Sequence, residues 1–262
     1  MLEFLAARAT PGVERVDAKG YHRSISVSGF TGSVAVAPFP GADALMVDVA
    51  IPDRALIPSI VENVAAMFDV DLDPSTIGTA LARDRLLKRA CAAHAGIRLP
   101  GAWEPFELAV RAILGQQISV RAATTLAGRV AAKWGEAVAT EHGLTRLFPW
   151  PASLADARLE KVGLISTRAQ TIRALAQLVS SGTLSFDSPS VRDELRSIAG
   201  IGEWTAQYVA MRALKDADAF PSGDLVLRKR AGNCTARVLE KRSERWRPFR
   251  AYAVMLLWQN DR

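Results

Sequence analysis

The chain has 262 residues, 49% of them hydrophobic, and a net charge of +6. That length accommodates two or three domains with a substantial core, and its apolar runs fall short of the ~20 residues a membrane-spanning helix requires. Cys91 and Cys234 are the only cysteines, and without a CxxC pair they exclude a four-cysteine zinc or iron–sulfur centre. A reduced, cytoplasmic chain is the expectation, with no signal peptide ahead of Met1-Leu2-Glu3. His22, His94 and His142 are isolated in sequence and read as surface or packing residues. The positive balance suits a polyanionic partner without demanding one.

Taken in chain order, the first eighty residues differ from the rest. Ser24 to Val27, Ser33 to Ala37 and Leu45 to Val49 are short runs broken by Gly29, Gly32, Pro38, Pro40 and Gly41, the pattern of antiparallel strands with tight turns. Ile57 to Met67 reads as a helix, with Ile60, Val61, Val64 and Met67 at helical spacing. From about Thr76 onward the pattern is helical and Ala- and Leu-rich. Pro105 opens a helix that runs to Gly115, and Ser119 caps the next, which ends near Trp134-Gly135. Ser153 and Thr167 are further cap candidates. A short helix over Val191 to Ser197 leads into Gly200 and Gly202, and a helix from Glu203 to about Lys215 follows. Pro248 opens the last helix, which carries Tyr252, Met255 and Trp258. The expected class is α+β: a small N-terminal antiparallel sheet with a helix, then an all-α core.

The chemistry concentrates around residues 195–206, Leu-Arg-Ser-Ile-Ala-Gly-Ile-Gly-Glu-Trp-Thr-Ala. Gly200 and Gly202 flank one apolar residue directly before a helix, so backbone N–H groups around Gly200 to Trp204 are free to meet one phosphate. On the glycines alone an ordinary helix–turn–helix connection is equally served. Asp224 follows in Phe-Pro-Ser-Gly-Asp, one helix and a turn further on. By itself it reads as a helix-capping residue, with Ser222 or Gly223 beginning a helix that holds it in the first turn.

Four ordered blocks carry a definite resemblance: Phe4-Leu5-Ala6-Ala7-Arg8, Arg111-Ala112-Ile113-Leu114-Gly115-Gln116, Gly200-Ile201-Gly202 with Trp204-Thr205-Ala206, and Arg245-Trp246 with Pro248 and Tyr252. With Asp224 at its distance, the chain resembles the 3-methyladenine DNA glycosylase II (AlkA) family of helix–hairpin–helix DNA glycosylases. The resemblance implies an N-terminal mixed domain over 1–80, a helical domain from 81–104 and 217–262 that carries the aspartate, and a helical domain over 105–216 that ends in the hairpin. It implies a monofunctional enzyme that flips alkylated bases out of double-stranded DNA and hydrolyses the N-glycosidic bond, working as a monomer in base excision repair.

Roles follow residue by residue. Asp224 would stabilise the positive charge that develops on the sugar. Relatives that also cut the strand carry a lysine where this chain has Trp204, and no lysine lies nearby until Lys215. Trp204 and Tyr208, four apart on one helix face, would form the base pocket with Trp258, where electron-rich rings attract a cationic alkylated base by roughly 0.5–2 kcal/mol. Phe4 matches another pocket position and serves equally well as core. In the loop Gln116-Gln117-Ile118-Ser119, either Gln117 or Ile118 is the wedge that fills the gap left by a flipped base. Gly200, Ile201, Gly202, Glu203 and Thr205 would meet the DNA backbone at the hairpin, and Thr167 with Arg168 would add a second phosphate contact. No cofactor is required; the backbone oxygens of Arg196, Ile198 and Ile201 would hold a monovalent cation. Nine lysines and arginines between Arg228 and Arg250, against Glu240 and Glu244, are consistent with a phosphate groove, although such a run usually means a solvated helix face and only some of them are expected to touch DNA, with Arg230 an ion-pair partner. A non-catalytic DNA-binding module would use the hairpin but would need neither Asp224 nor the aromatic residues.

Overall fold

The computed structural model describes residues 1–259. The chain divides into two compact units, Met1–Val64 with Ala109–Ser185 and Ala65–Leu108 with Phe186–Arg262.

In the first unit, α1 (Leu2–Ala6) leads to β1 (Glu14–Asp17), β2 (Gly20–Val27), β3 (Phe30–Pro38) and β4 (Leu45–Ala50). The strands form an antiparallel meander in the order β1-β2-β3-β4. Three of them answer the short Val- and Ile-rich runs. The extra strand, β1, is masked in the sequence because its inward residue is a carboxylate, Glu14, instead of an apolar side chain. Gly20 joins β1 to β2 at φ +135°, and a Cβ there would lie 2.2 Å from the Val36 carbonyl oxygen, so only glycine fits. The chain leaves this unit within α2 (Ile57–Phe68), whose Ile60 and Val64 are buried, and re-enters it within α5.

Elements of the second unit begin with α3 (Pro74–Leu81), capped by the Asp73 carboxylate, and α4 (Lys88–Ala93). Then α5 (Pro105–Leu114) carries the chain into the first unit, where α6 (Val120–Trp134), α7 (Pro151–Ala155) and α8 (Ser166–Ser180) follow. Ser119 caps α6 by accepting from the Ala122 amide at 3.2 Å. Ser153 and Thr167 are not caps. Pro151 starts α7 two residues before Ser153, and α8 begins at Ser166 behind Ile165, so both residues lie inside their helices. Nor are two of the histidines isolated: the rings of His22 and His142 lie 5.4 Å apart.

The second unit resumes with α9 (Val191–Ser197), α10 (Glu203–Arg212), α11 (Leu225–Arg230), α12 (Ala236–Ser243) and α13 (Arg250–Gln259). α10 stops three residues short of Lys215, which sits at φ +57° beyond its end. Pro248, joined to Arg247 by a cis peptide bond, precedes α13 by two residues and does not open it. Tyr252 anchors α13 by donating from its hydroxyl to both oxygens of Asp69, at 3.0 and 2.8 Å. Cys91 and Cys234 are free thiols. Among the described residues no helix is long and apolar enough to cross a membrane.

Candidate active site

The hairpin between α9 and α10 follows from its residue order. Leu195, Ile198 and Ile201 are buried beneath it, while Ala199, Gly200, Gly202 and Glu203 are exposed. Gly200 adopts φ +93°, a left-handed turn that lets the Ile201 amide donate back to the Ile198 carbonyl at 3.0 Å. Gly202 is the N-cap of α10 and offers no side chain to its amides; the first bond of the helix runs from Ala206 N–H to the Gly202 carbonyl at 3.1 Å. The amides of Glu203 and Trp204 therefore stand at a helix N-terminus that its N-cap residue leaves without a side-chain cap. Side chains add little there. Ile201 and Thr205 are buried, and the Ile201 amide is already bonded to the Ile198 carbonyl. The Glu203 carboxylate is held by Arg196 at 2.9 Å and accepts from Gln207 Nε2 at 2.8 Å.

Three donors converge on Asp224. It is the N-cap of α11, one position earlier than first-turn placement would have it, and Oδ1 accepts from the Leu227 amide at 2.9 Å. Trp204 Nε1 donates to Oδ2 at 2.9 Å, and Trp258 Nε1 lies 3.4 Å from Oδ1. The capping reading and the functional one thus describe the same side chain. One oxygen closes the helix and the other faces the aromatic cluster.

That cluster is continuous. The rings of Trp204 and Tyr208 stack with centroids 5.2 Å apart and planes inclined 10°, and Tyr208 meets Trp258 at 6.3 Å. Arg212, a residue not anticipated, fixes its far side. It is 4% exposed, donates from Nη1 to the Tyr208 hydroxyl at 2.9 Å and from Nη2 to the Gly101 carbonyl at 3.0 Å, and holds the Pro100 carbonyl with Nε. Its signal was present: Trp204, Tyr208 and Arg212 recur every four residues on one face of α10.

In the first unit, the loop after α5 presents Gln117 at its exposed tip with φ +56°, while Ile118 is half-buried. Two arginines brace it. Arg168 donates to the Gln116 carbonyl. Arg111, on α5, donates to the buried Glu14 carboxylate at 2.9 Å and to the Arg8 carbonyl. Thr167 is exposed beside Arg168. Phe4 also lies in this unit, with the Arg8 guanidinium 3.7 Å from its ring centroid.

Most of the basic residues between Arg228 and Arg250 hold the fold together. Arg228 donates to the Cys234 carbonyl and Arg250 pairs with Asp218, Glu240 and Glu244. Arg230 donates to the Leu257 carbonyl. For the cation, Arg196 and Ile198 carry the last carbonyls of α9; Ile198 keeps one lone pair beside its bond to Ile201 N–H.

Comparison with known proteins places the chain among known families and folds. Residues 1–104 match the AlkA N-terminal domain, and residues 110–246 match the HhH-GPD superfamily of base excision DNA repair proteins. The chain is 33% identical to DNA-3-methyladenine glycosylase 2 of Escherichia coli, an alignment covering 100% of this chain and 93% of that one. It is 36% identical to a probable bifunctional transcriptional activator/DNA repair enzyme AlkA of Mycobacterium tuberculosis over 97% of its own length, but spans only 53% of that relative. Among solved structures, a 3-methyladenine DNA glycosylase from Archaeoglobus fulgidus superposes with a TM-score of 0.86 at 21% identity, covering 99% of this chain and 93% of that one. An 8-oxoguanine glycosylase/lyase of Clostridium acetobutylicum does so at 0.76 and 17%, covering 94% and 86%; both show the shared fold.

Proposed function

We propose, because this chain belongs to the HhH-GPD superfamily of base excision DNA repair proteins, that it is a DNA glycosylase of the 3-methyladenine type, monofunctional and acting as a monomer on double-stranded DNA that contains alkylated bases. The observation that carries the reading is Asp224, held by two indoles and a backbone amide at the end of the Trp204–Tyr208–Trp258 cluster.

The chemistry follows from those groups. Breaking the N-glycosidic bond leaves the electron pair on the base and positive charge on the sugar. A carboxylate whose lone pairs are already oriented stabilises that charge without reorganising. Water then adds to the anomeric carbon, loses a proton, and an abasic site remains. An alkylated purine departs as a neutral base, because it carries its positive charge before the bond breaks. Aromatic faces favour that cation in the ground state and need no single hydrogen-bond pattern to recognise it.

The hairpin amides of Gly202 to Trp204 take a backbone phosphate, the Ile201 amide being bonded to the Ile198 carbonyl; Gln117 fills the gap left by the flipped base, and Thr167 with Arg168 contact a further phosphate. The carbonyls of Arg196, Ile198 and Ile201 would hold a monovalent cation, which would add positive potential at the hairpin. By function we assign residues 1–80 to a supporting domain, 81–104 with 217–262 to the part carrying Asp224, and 105–216 to the part ending in the hairpin, a partition that cuts across the two compact units.

The test is base release from methylated duplex DNA by the Asp224→Asn protein. A loss of at least 100-fold is expected, and near-unchanged release would overturn the assignment. Strand cleavage by the unmutated protein without added base or heat would overturn the monofunctional part, which rests on Trp204 standing where a lyase carries lysine.

A further inference from the structure

A second charged feature lies apart from the hairpin. A cleft of about 580 Å³ is lined by Ala80, Leu81, Asp84 and Trp246 together with Arg83, Arg85, Arg242, Arg245 and Arg247. It shares no residue with the hairpin or with the Asp224 cluster. Two segments build it, the turn that follows α3 and the end of α12 with the turn after it.

Asp84 explains why these segments meet. Its carboxylate is 4% exposed and accepts from the Leu86 amide at 2.8 Å and from Trp246 Nε1 at 2.9 Å, with Arg242 at 3.5 Å and Arg245 at 3.7 Å. Burial pushes the acid up, but those donors and charges outweigh it and hold it below the ordinary carboxylate value. The one acid in the lining is thus fully engaged. Arg247 is likewise committed to Glu244 and Asp218. Arg83 and Arg85 are exposed, and among the described residues neither has an ion pair or hydrogen bond. Two free guanidinium groups beside the exposed Arg245 leave strong positive potential with no protein partner. Nothing in the fold requires them.

We infer that this cleft is a second DNA-backbone site, taking phosphates of the duplex that the hairpin does not grip. The inference rests on the reading of the chain as a protein that acts on DNA. Guanidinium groups form two-point hydrogen bonds to phosphate oxygens, and charge drawn from two segments into one cleft suits the repeated phosphates of a strand. The site adds affinity for any duplex and carries no lesion specificity.

The experiment measures binding of the whole chain to an undamaged 25-base-pair duplex by fluorescence anisotropy across a salt series. In Arg83→Ala/Arg85→Ala, affinity at low salt should fall about 10-fold, and the slope of log K against log salt should flatten by about 1–2. The charge-preserving Arg83→Lys/Arg85→Lys should keep most of both. Single-turnover base release at saturating protein should be unchanged in the double alanine variant. Unchanged affinity and slope would overturn the proposal, as would an equal loss in the lysine variant. Displacement of the cleft's ligand is probed with tripolyphosphate: protection of Arg83 and Arg85 by it, with duplex affinity unchanged in the alanine variant, would assign the cleft to a small polyphosphate and also overturn the proposal. Failure of the unmutated chain to bind any duplex would instead remove the underlying reading.

Discussion

Trp204 Nε1 donates a hydrogen bond to Asp224 Oδ2 at 2.9 Å. The residue on which the proposed lack of strand cleavage rests therefore also orients the carboxylate. Trp204→Phe keeps an aromatic surface against Tyr208 but removes the donor. A hydrogen bond to a charged group contributes about 1.5–3 kcal/mol, so base release under single-turnover conditions should slow about 10- to 100-fold. The loss should stay smaller than in Asp224→Asn, because Leu227 and Trp258 still hold Oδ1. A rate within twofold of the unmutated protein would show that the indole only packs.

Gln117 is exposed at φ +56°, and the half-buried Ile118 is the less available of the two wedge candidates. Gln117→Ala should slow release of a lesion in a fully paired duplex about 10-fold, with less effect when the opposite base is missing and the gap needs no filling. Its melting temperature should be unchanged, since the side chain packs against solvent. If Ile118→Ala gives the larger kinetic effect at equal stability, the roles are reversed.

How far the sequence reveals this site depends on the range of each cause. The hairpin is legible because Gly200 and Gly202 act locally: one provides a positive φ and the other a bare N-cap, whatever surrounds them. α9 is legible for the same reason. Asp224 is only half legible. Its capping bond to Leu227 is a local pattern, whereas its bond to Trp204 spans twenty residues and depends on how α10 and α11 meet. Helix starts at Ser153 and Thr167 were misplaced because Pro151 and Ile165 set the boundary before the hydroxyl side chains could. β1 is obscured because its inward Glu14 is compensated by Arg111, far along the chain, and the contact between His22 and His142 likewise joins distant residues.

Arg212 offers a test of what supports the aromatic cluster. Replacing it with Met leaves the Pro100 and Gly101 carbonyls and the Tyr208 hydroxyl without this donor in a buried position. Each such group costs about 1–3 kcal/mol when unsatisfied. Arg212→Met should destabilise the protein by about 2–4 kcal/mol, read from chemical denaturation. Arg212→Lys should recover only part of this, because an ammonium cannot reproduce the planar fork. Full recovery by lysine would mean that charge alone matters.

Glu14 sets the response to acid. Its side chain is 4% exposed. Burial raises its pKa, but Arg111 and Arg23, the Thr10 amide and the Tyr21 hydroxyl outweigh that, so it lies below its ordinary value of 4.5. A depressed carboxylate binds fewer protons folded than unfolded, so its stabilisation is present above pH 4.5 and is lost as pH falls through the folded value. Asp84, held below 3.8, acts in the same direction. Asp69 opposes them: burial is its largest influence and raises it, so its contribution is complete below 3.8 and declines as pH rises. Asp17, Asp73, Glu160, Glu194 and Glu244 are depressed as well, so against the raised Asp69 stability should fall as pH drops below about 4.5. Glu14→Gln should flatten that acid limb. At neutral pH it should cost about 3 kcal/mol, because Arg23 and Arg111 lose the carboxylate that compensates their burial. Denaturant midpoints measured between pH 3 and 7 check both effects, and an acid limb as steep in Glu14→Gln as in the unmutated protein would assign the loss of stability to other carboxylates.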